Sequence, residues 1–172
     1  GAGVVALPAR YPNAVAVSAT NNLDLRAAFS NFGNEIELAA PGETIRSTRV
    51  QYVCENGSNN GSVCLTNVNC TGGGTCTGRV STYAWDSGTS FASPCVAGLA
   101  ALVKSFVPAL TGAEIRTVLT SSADDLGAAG RDTSFGFGRV NAYRALLKVF
   151  ILSSDPKDGS LDARQPSEPR NT

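Results

Sequence analysis

The run from Gly88 to Val103 carries no charge, and Lys104 is the first charged residue after it. A Gly just before a Ser, followed by a long uncharged stretch, reads as a tight turn feeding a helix with Ser90 at its N-terminal end. Pro94 has no N–H and fits a first turn, where no intrahelical bond is lost, so the helix is predicted to begin close to Ser90. Pro108 bounds it at the far end. About 16 residues at 1.5 Å each give roughly 24 Å, enough to cross a domain and short of the ~20 residues of a bilayer span. Ala92, Ala97, Gly98, Ala100 and Ala101 are small, and Val96, Leu99, Leu102 and Val103 leave no polar side. A helix apolar all round is a buried one, which predicts the core helix of a domain. Gly98 costs about 1 kcal/mol of helix propensity relative to Ala, and its expected return is close approach of a neighbouring element.

Taken alone, Ser90 reads as a helix N-cap. The surrounding string Gly88-Thr89-Ser90-Phe91-Ala92-Ser93-Pro94, then Val96-Ala97-Gly98, resembles the nucleophile motif of the subtilisin-like serine proteases, the subtilases. The resemblance implies that Ser90 attacks a peptide carbonyl, that its own N–H helps hold the oxyanion, and that Gly88 and Thr89 line the site. The physics is consistent, because amides at a helix N-terminus and the positive end of its dipole favour developing negative charge. Phe91 stands where the family usually has Met, and Cys95 where it usually has His; neither family residue belongs to the triad. Phe91 is expected beside the leaving-group side, and Cys95 is expected as a small buried apolar side chain rather than a reactive thiol.

The chain of 172 residues contains no His, so no imidazole within it can act as base for Ser90. It contains no Met either, which reads as a chain processed, trimmed or cut from something longer. Its 14 basic and 14 acidic residues cancel, giving no electrostatic case for nucleic acid or an anionic membrane as partner.

Ala14 to Thr20 is a short apolar run between Pro12-Asn13 and Asn21-Asn22, as expected of a strand buried on both faces. With Val4 to Asn13 it resembles the subtilase segment that follows the oxyanion-hole Asn and passes through a Tyr-Pro turn into a core strand. That match puts the Asn just before Gly1 and implies that Ala6 and Pro8 line the back of the specificity pocket. Some relatives bind a weak cation through carbonyls at this turn, here Ala9, Tyr11 and Ala14, a property no side chain reports. Residues 21–48 alternate turns with short strands at Ile36–Ala39 and Thr44–Thr48. Phe29-Ser30-Asn31-Phe32-Gly33 and Ala40-Pro41-Gly42 are also similar to subtilase motifs, in the family's order.

Between about 49 and 82, Cys54, Cys64, Cys70 and Cys76 fall among Gly, Asn, Ser and Thr. Such a stretch has too few apolar residues for a core and stays disordered unless stapled, which predicts two disulfides in any of three pairings. Zinc is the rival, but the spacing lacks a Cys-x-x-Cys knuckle and there is no His. Against the subtilases the stretch reads as an insertion. Asn56, Asn60 and Asn69 each open an Asn-x-Ser/Thr triplet, relevant only in a host that glycosylates.

Tyr83 to Ser87 should be an extended approach to the helix. Beyond Pro108, Thr111-Gly112-Ala113-Glu114 is a capping box opening a helix with Ile115, Val118 and Leu119 on one face. Gly136-Phe137-Gly138-Arg139-Val140-Asn141-Ala142 reads as a turn with Asn141 capping a last helix, and resembles the end of the subtilase catalytic domain. It lacks the Lys-Ser/Thr of a phosphate loop.

The resemblance covers residues 1–150 and implies an α/β fold, a mostly parallel sheet flanked by helices, present only as its C-terminal portion. Residues 151–172 read as a polar linker or tail. Function follows as a secreted serine endopeptidase forming an acyl-enzyme on Ser90. Its triad Asp and His are expected upstream in a missing N-terminal half. Protein or peptide substrates are the implied partners. No cofactor is required, and a structural calcium is allowed in the full-length protein. The alternative is a non-catalytic secreted binding module with a disulfide-stapled loop and an inert Ser90.

Overall fold

The computed structural model describes residues 1–154; the expected tail beyond Ser154 lies outside the described residues. The chain divides into two compact units, one of Gly1–Glu43 with the segment from Ser87 onward, the other Thr44–Asp86.

The first unit is built on two parallel strands, β1 (Ala16–Thr20) and β2 (Ile36–Pro41). Ser18, Ala19 and Thr20 are buried in succession, so β1 is covered on both faces as its apolar run predicts. Residues 137–140 extend the free edge of β2. Phe137 N–H donates to the Glu37 carbonyl at 2.7 Å, and Ala39 N–H to that of Gly138 at 2.9 Å. Gly136 makes this approach possible. Its φ is +63°, and a Cβ there would lie 2.2 Å from the Glu37 carbonyl.

Helix α1 (Thr89–Phe106) packs on this sheet, and α2 (Gly112–Ser121) and α3 (Ala142–Ser154) pack against α1 and each other. The core joins Ala19, Leu38 and Ala40 of the strands to Ala92, Val96, Leu99 and Val103 of α1, with Val118 and Leu119 of α2 and Ala145 and Val149 of α3. The predicted capping box is present: Glu114 N–H donates to Thr111 Oγ1 at 3.3 Å and Thr111 N–H to Glu114 Oε2 at 2.7 Å. Asn141 Oδ1 accepts the Arg144 N–H at 3.0 Å, capping α3 as read from sequence. That helix runs on through Ser154, so the start of the segment read as a linker is helical.

Two polar clusters tie these elements together. Arg116 of α2 grips the Glu37 carboxylate of β2 through Nε at 2.8 and 2.9 Å, and its Nη1 donates to the Pro12 carbonyl at 3.0 Å. Asp124 accepts from Arg139 at 3.0 Å and from Asn141 at 3.0 and 3.1 Å, with Arg144 at 3.3 Å. Arg139 also pairs with Asp24. Burial by itself would raise the Asp124 carboxyl, but the hydrogen bonds from Arg139 and Asn141 and the charges of Arg144 and Arg139 outweigh it, leaving the group below its usual range. The Arg139 guanidinium is correspondingly raised, chiefly by its hydrogen bond to Asp124.

Helix α1 begins at Thr89, close to Ser90 as predicted, but its N-cap is Gly88 and not Ser90. Pro94 consequently sits in the second turn, where its missing N–H leaves the Ser90 carbonyl without its ladder donor. The helix is also buried along one face only. Pro94, Cys95, Ala97, Gly98, Ala101 and Leu102 are exposed, and nothing among the described residues comes within 4 Å of a Cβ built on Gly98. Apolar composition alone predicted cover on every side; only the sheet side finds it here. Cys95 follows the same correction, as a free and exposed thiol rather than a buried one.

The second unit is an antiparallel ribbon of β3 (Ile45–Glu55) and β4 (Thr75–Asp86), capped by a stapled loop. Its strands run far past the short one expected at Thr44–Thr48. Cys54–Cys70 and Cys64–Cys76 form the two disulfides, choosing among the open pairings. Cys54, Cys64 and Cys70 sulfurs lie within 4.8 Å of one another, the proximity a metal would need, but every one is consumed in a disulfide. Asn59 replaces a hydrophobic core in the loop, its Nδ2 donating to the Asn69 carbonyl and its Oδ1 accepting the Thr71 N–H, both at 2.8 Å.

Candidate active site

The turn that delivers Ser90 is fixed from β2. Gly88 N–H donates to the Gly42 carbonyl at 2.7 Å, and Phe91 N–H closes back on the Gly88 carbonyl at 3.0 Å. Gly42 is the residue that permits this. A Cβ there would stand 2.7 Å from Ala19 Cβ and 2.9 Å from the Gly88 carbonyl oxygen, so only Gly lets the strand end, β1 and the helix start meet. Gly88 itself has room for a Cβ, its nearest neighbour being the Ser90 nitrogen at 3.7 Å. Below the turn Ala92 is fully buried, seating the first turn of α1 in the same core as Ala19.

Ser90 is exposed, and its hydroxyl makes no hydrogen bond with any described residue. As the second residue of α1 it offers a backbone N–H with no acceptor inside the helix, at the positive end of the dipole. This supplies one donor for an oxyanion and an accessible nucleophile. An imidazole base is absent, since the chain has no His.

Thr89 and Ala6, both derived from sequence, line one cavity of about 200 Å³ together with Val5, Leu7, Phe29 and Asn31. Pro8 does not line it; it is exposed and follows a cis peptide bond with Leu7. The loop that carries Phe29 and Asn31 into this wall is held by two hydrogen bonds. Ser30, fully buried, accepts the Ala19 N–H on Oγ at 3.0 Å, and Asn31 Oδ1 accepts the Ala2 N–H at 2.9 Å. The two bonds pin this loop to β1 and to the start of the chain, which sets the cavity wall. Arg26 stacks 4.7 Å from the Phe32 centroid on the same loop.

The turn carrying Ala9, Tyr11 and Ala14 is closed by Tyr11 N–H donating to the Pro8 carbonyl at 3.1 Å and Ala14 N–H to that of Tyr11 at 2.9 Å. A larger apolar groove of about 340 Å³ lies between β1, α1 and α2, lined by Val15, Val96, Ala100 and Ile115. It contains none of the residues assigned to the site from sequence.

Comparison with known proteins places this geometry. The Subtilase family profile matches residues 1–138. The chain is 39% identical over 145 residues to the alkaline elastase YaB of Bacillus sp. strain YaB, covering 84% of this chain and 30% of that protein. It is 37% identical over 139 residues to the minor extracellular protease Epr of Bacillus subtilis, covering 80% of this chain and 17% of that one. A solved protease from Pseudoalteromonas arctica superposes with a TM-score of 0.62 at 30% identity, over 83% of this chain and 38% of its own. The chain thus spans well under half the length of each of these proteins. Its parallel strands and flanking helices are part of the subtilisin-like α/β fold, and it belongs to the subtilase family of serine proteases.

Proposed function

We propose that Ser90 is the nucleophile of a secreted subtilisin-type endopeptidase of which this chain forms the C-terminal half of the catalytic domain. The observation that carries the reading is the exposed Ser90 hydroxyl at the start of α1, next to Thr89 on the wall of the cavity shared with Ala6. In the reaction Ser90 Oγ attacks the substrate carbonyl as its proton passes to a base. Ser90 N–H stabilises the oxyanion, the peptide amine leaves with a proton, and water then hydrolyses the acyl ester. The cavity receives a substrate side chain, and Gly88 with Thr89 borders the scissile bond.

The base and the family's Asp come from residues outside this chain. The uncovered face of α1, from Pro94 to Leu102, is where the N-terminal half packs. No cofactor enters the chemistry, and a structural calcium is allowed in the full-length protein. Oxidised cysteines agree with a location outside the cell, where disulfides persist.

The test uses the parent protein and the 172-residue chain side by side. A fluorophosphonate probe is expected to label the parent at Ser90, and Ser90→Ala to lower turnover by on the order of 10⁶ while the fold survives. The chain alone is expected to hydrolyse a peptide no faster than background. Label on another residue of an active parent overturns the assignment of Ser90, and hydrolysis by the isolated chain that Ser90→Ala abolishes overturns the placement of the base outside it.

A further inference from the structure

The β3–β4 ribbon has two faces, and its register separates them. Arg46, Thr48, Val50 and Tyr52 of β3 stand opposite Trp85, Tyr83, Ser81 and Arg79 of β4, all on one face. Every one of these side chains is exposed, with Tyr83 at 65% and Trp85 at 64%. Soluble proteins do not leave three aromatic rings on one open face without a use for them. The face carries two guanidiniums and no carboxylate. Arg46 lies 5.3 Å from the Tyr83 centroid and Arg79 5.5 Å from that of Tyr52. A guanidinium held over a ring in this way keeps N–H donors at its edge for a carboxylate.

We infer that this face binds an extended acidic peptide segment. Charge selects the partner's sign, and spacing selects its form. Side chains along a strand recur about every 7 Å on one face, the repeat that Tyr83 and Trp85 present and that an extended peptide also has. Arg46 and the Tyr52–Arg79 pair lie about 20 Å apart along the ribbon, the span of a heptapeptide with carboxylates at its two ends. Nucleic acid fits less well, because two arginines neutralise too few phosphates to hold a polyanion tract. The inference concerns Thr44–Asp86 alone and stands independently of Ser90.

Trp85 is the single tryptophan of the chain, so its fluorescence reports binding at this face directly. The probe is an acetylated, amidated heptapeptide with Glu at both ends and Val-Thr repeats between. Its Gln-ended twin is the control. The Glu peptide is expected to shift Trp85 emission saturably, with affinity falling as salt rises and about tenfold weaker for the Gln peptide or for an R46Q/R79Q variant. Arg49→Gln lies on the opposite face and is expected to leave binding unchanged. Equal binding of the two peptides, no binding, loss of affinity in Arg49→Gln, or tighter binding of heparin than of the Glu peptide overturns the proposal. The peptide comparison needs no variant, so misfolding cannot mask the answer.

Discussion

Asp124→Asn isolates the polar cluster around Arg139, on the segment that extends the edge of β2. Asn has the same shape and keeps one acceptor oxygen, so the change removes charge without opening space. It weakens the bonds from Arg139 and Asn141 and the pairing with Arg144. Hydrogen bonds to charged groups contribute about 1.5–3 kcal/mol each, but the Arg139 side chain is 32% and that of Asp124 23% exposed, which discounts the sum. A net loss of about 2 kcal/mol is expected at pH 7, or a fall in Tm of about 4–8 °C for a protein of this size. The sign with pH is set by the lowered folded value of Asp124. Its contribution is complete above the unfolded value of about 3.9 and is lost as pH falls through the lower folded one. Urea unfolding followed by circular dichroism, at pH 7 and then stepwise below pH 4, checks this. The gap between wild type and variant should narrow on acidification. An equal gap at every pH, or none at pH 7, refutes the electrostatic account of the cluster.

The cysteines give a chemical test: of the five, one thiol is expected to react in unreduced, denatured protein, and that same thiol, Cys95, is expected to react with a maleimide in the native chain. More than one reactive thiol, or a protected Cys95, contradicts the structure. Gly42→Ala places a methyl 2.7 Å from Ala19 Cβ and is expected to cost about 1–3 kcal/mol, read as a lower urea midpoint, and an unchanged midpoint refutes the packing argument.

What was legible in the sequence was what is decided locally. The capping box at Thr111 and Glu114 and the cap at Asn141 need only their own turn, and β1 announced itself because an apolar run between Pro-Asn and Asn-Asn has few alternatives. The motif carrying Ser90 is legible by resemblance and the helix does begin beside Ser90, but Pro94 stands in the second turn rather than the first. The ribbon was hidden for a physical reason. A two-stranded ribbon buries little, so neither strand shows the apolar alternation of a half-buried one, and Thr48, Val50, Tyr52, Thr82 and Tyr83 were the available β-forming signal. Gly42 was recognised as part of a motif, yet its purpose depends on where Ala19 and Gly88 lie, which no spacing reports. The cover of α1 was overestimated because hydrophobicity states that a face avoids water, never which partner covers it.

The two disulfides overlap in sequence, Cys54–Cys70 enclosing Cys64 and Cys64–Cys76 enclosing Cys70. A peptide-bond cut anywhere between Cys54 and Cys76 therefore leaves at least one bridge joining the severed ends. Exposed loop tips rich in small polar residues are the preferred places for such nicking. This tip would be cleaved and still stay in one covalent piece, so damage there would be seen on a reducing gel and not on a non-reducing one.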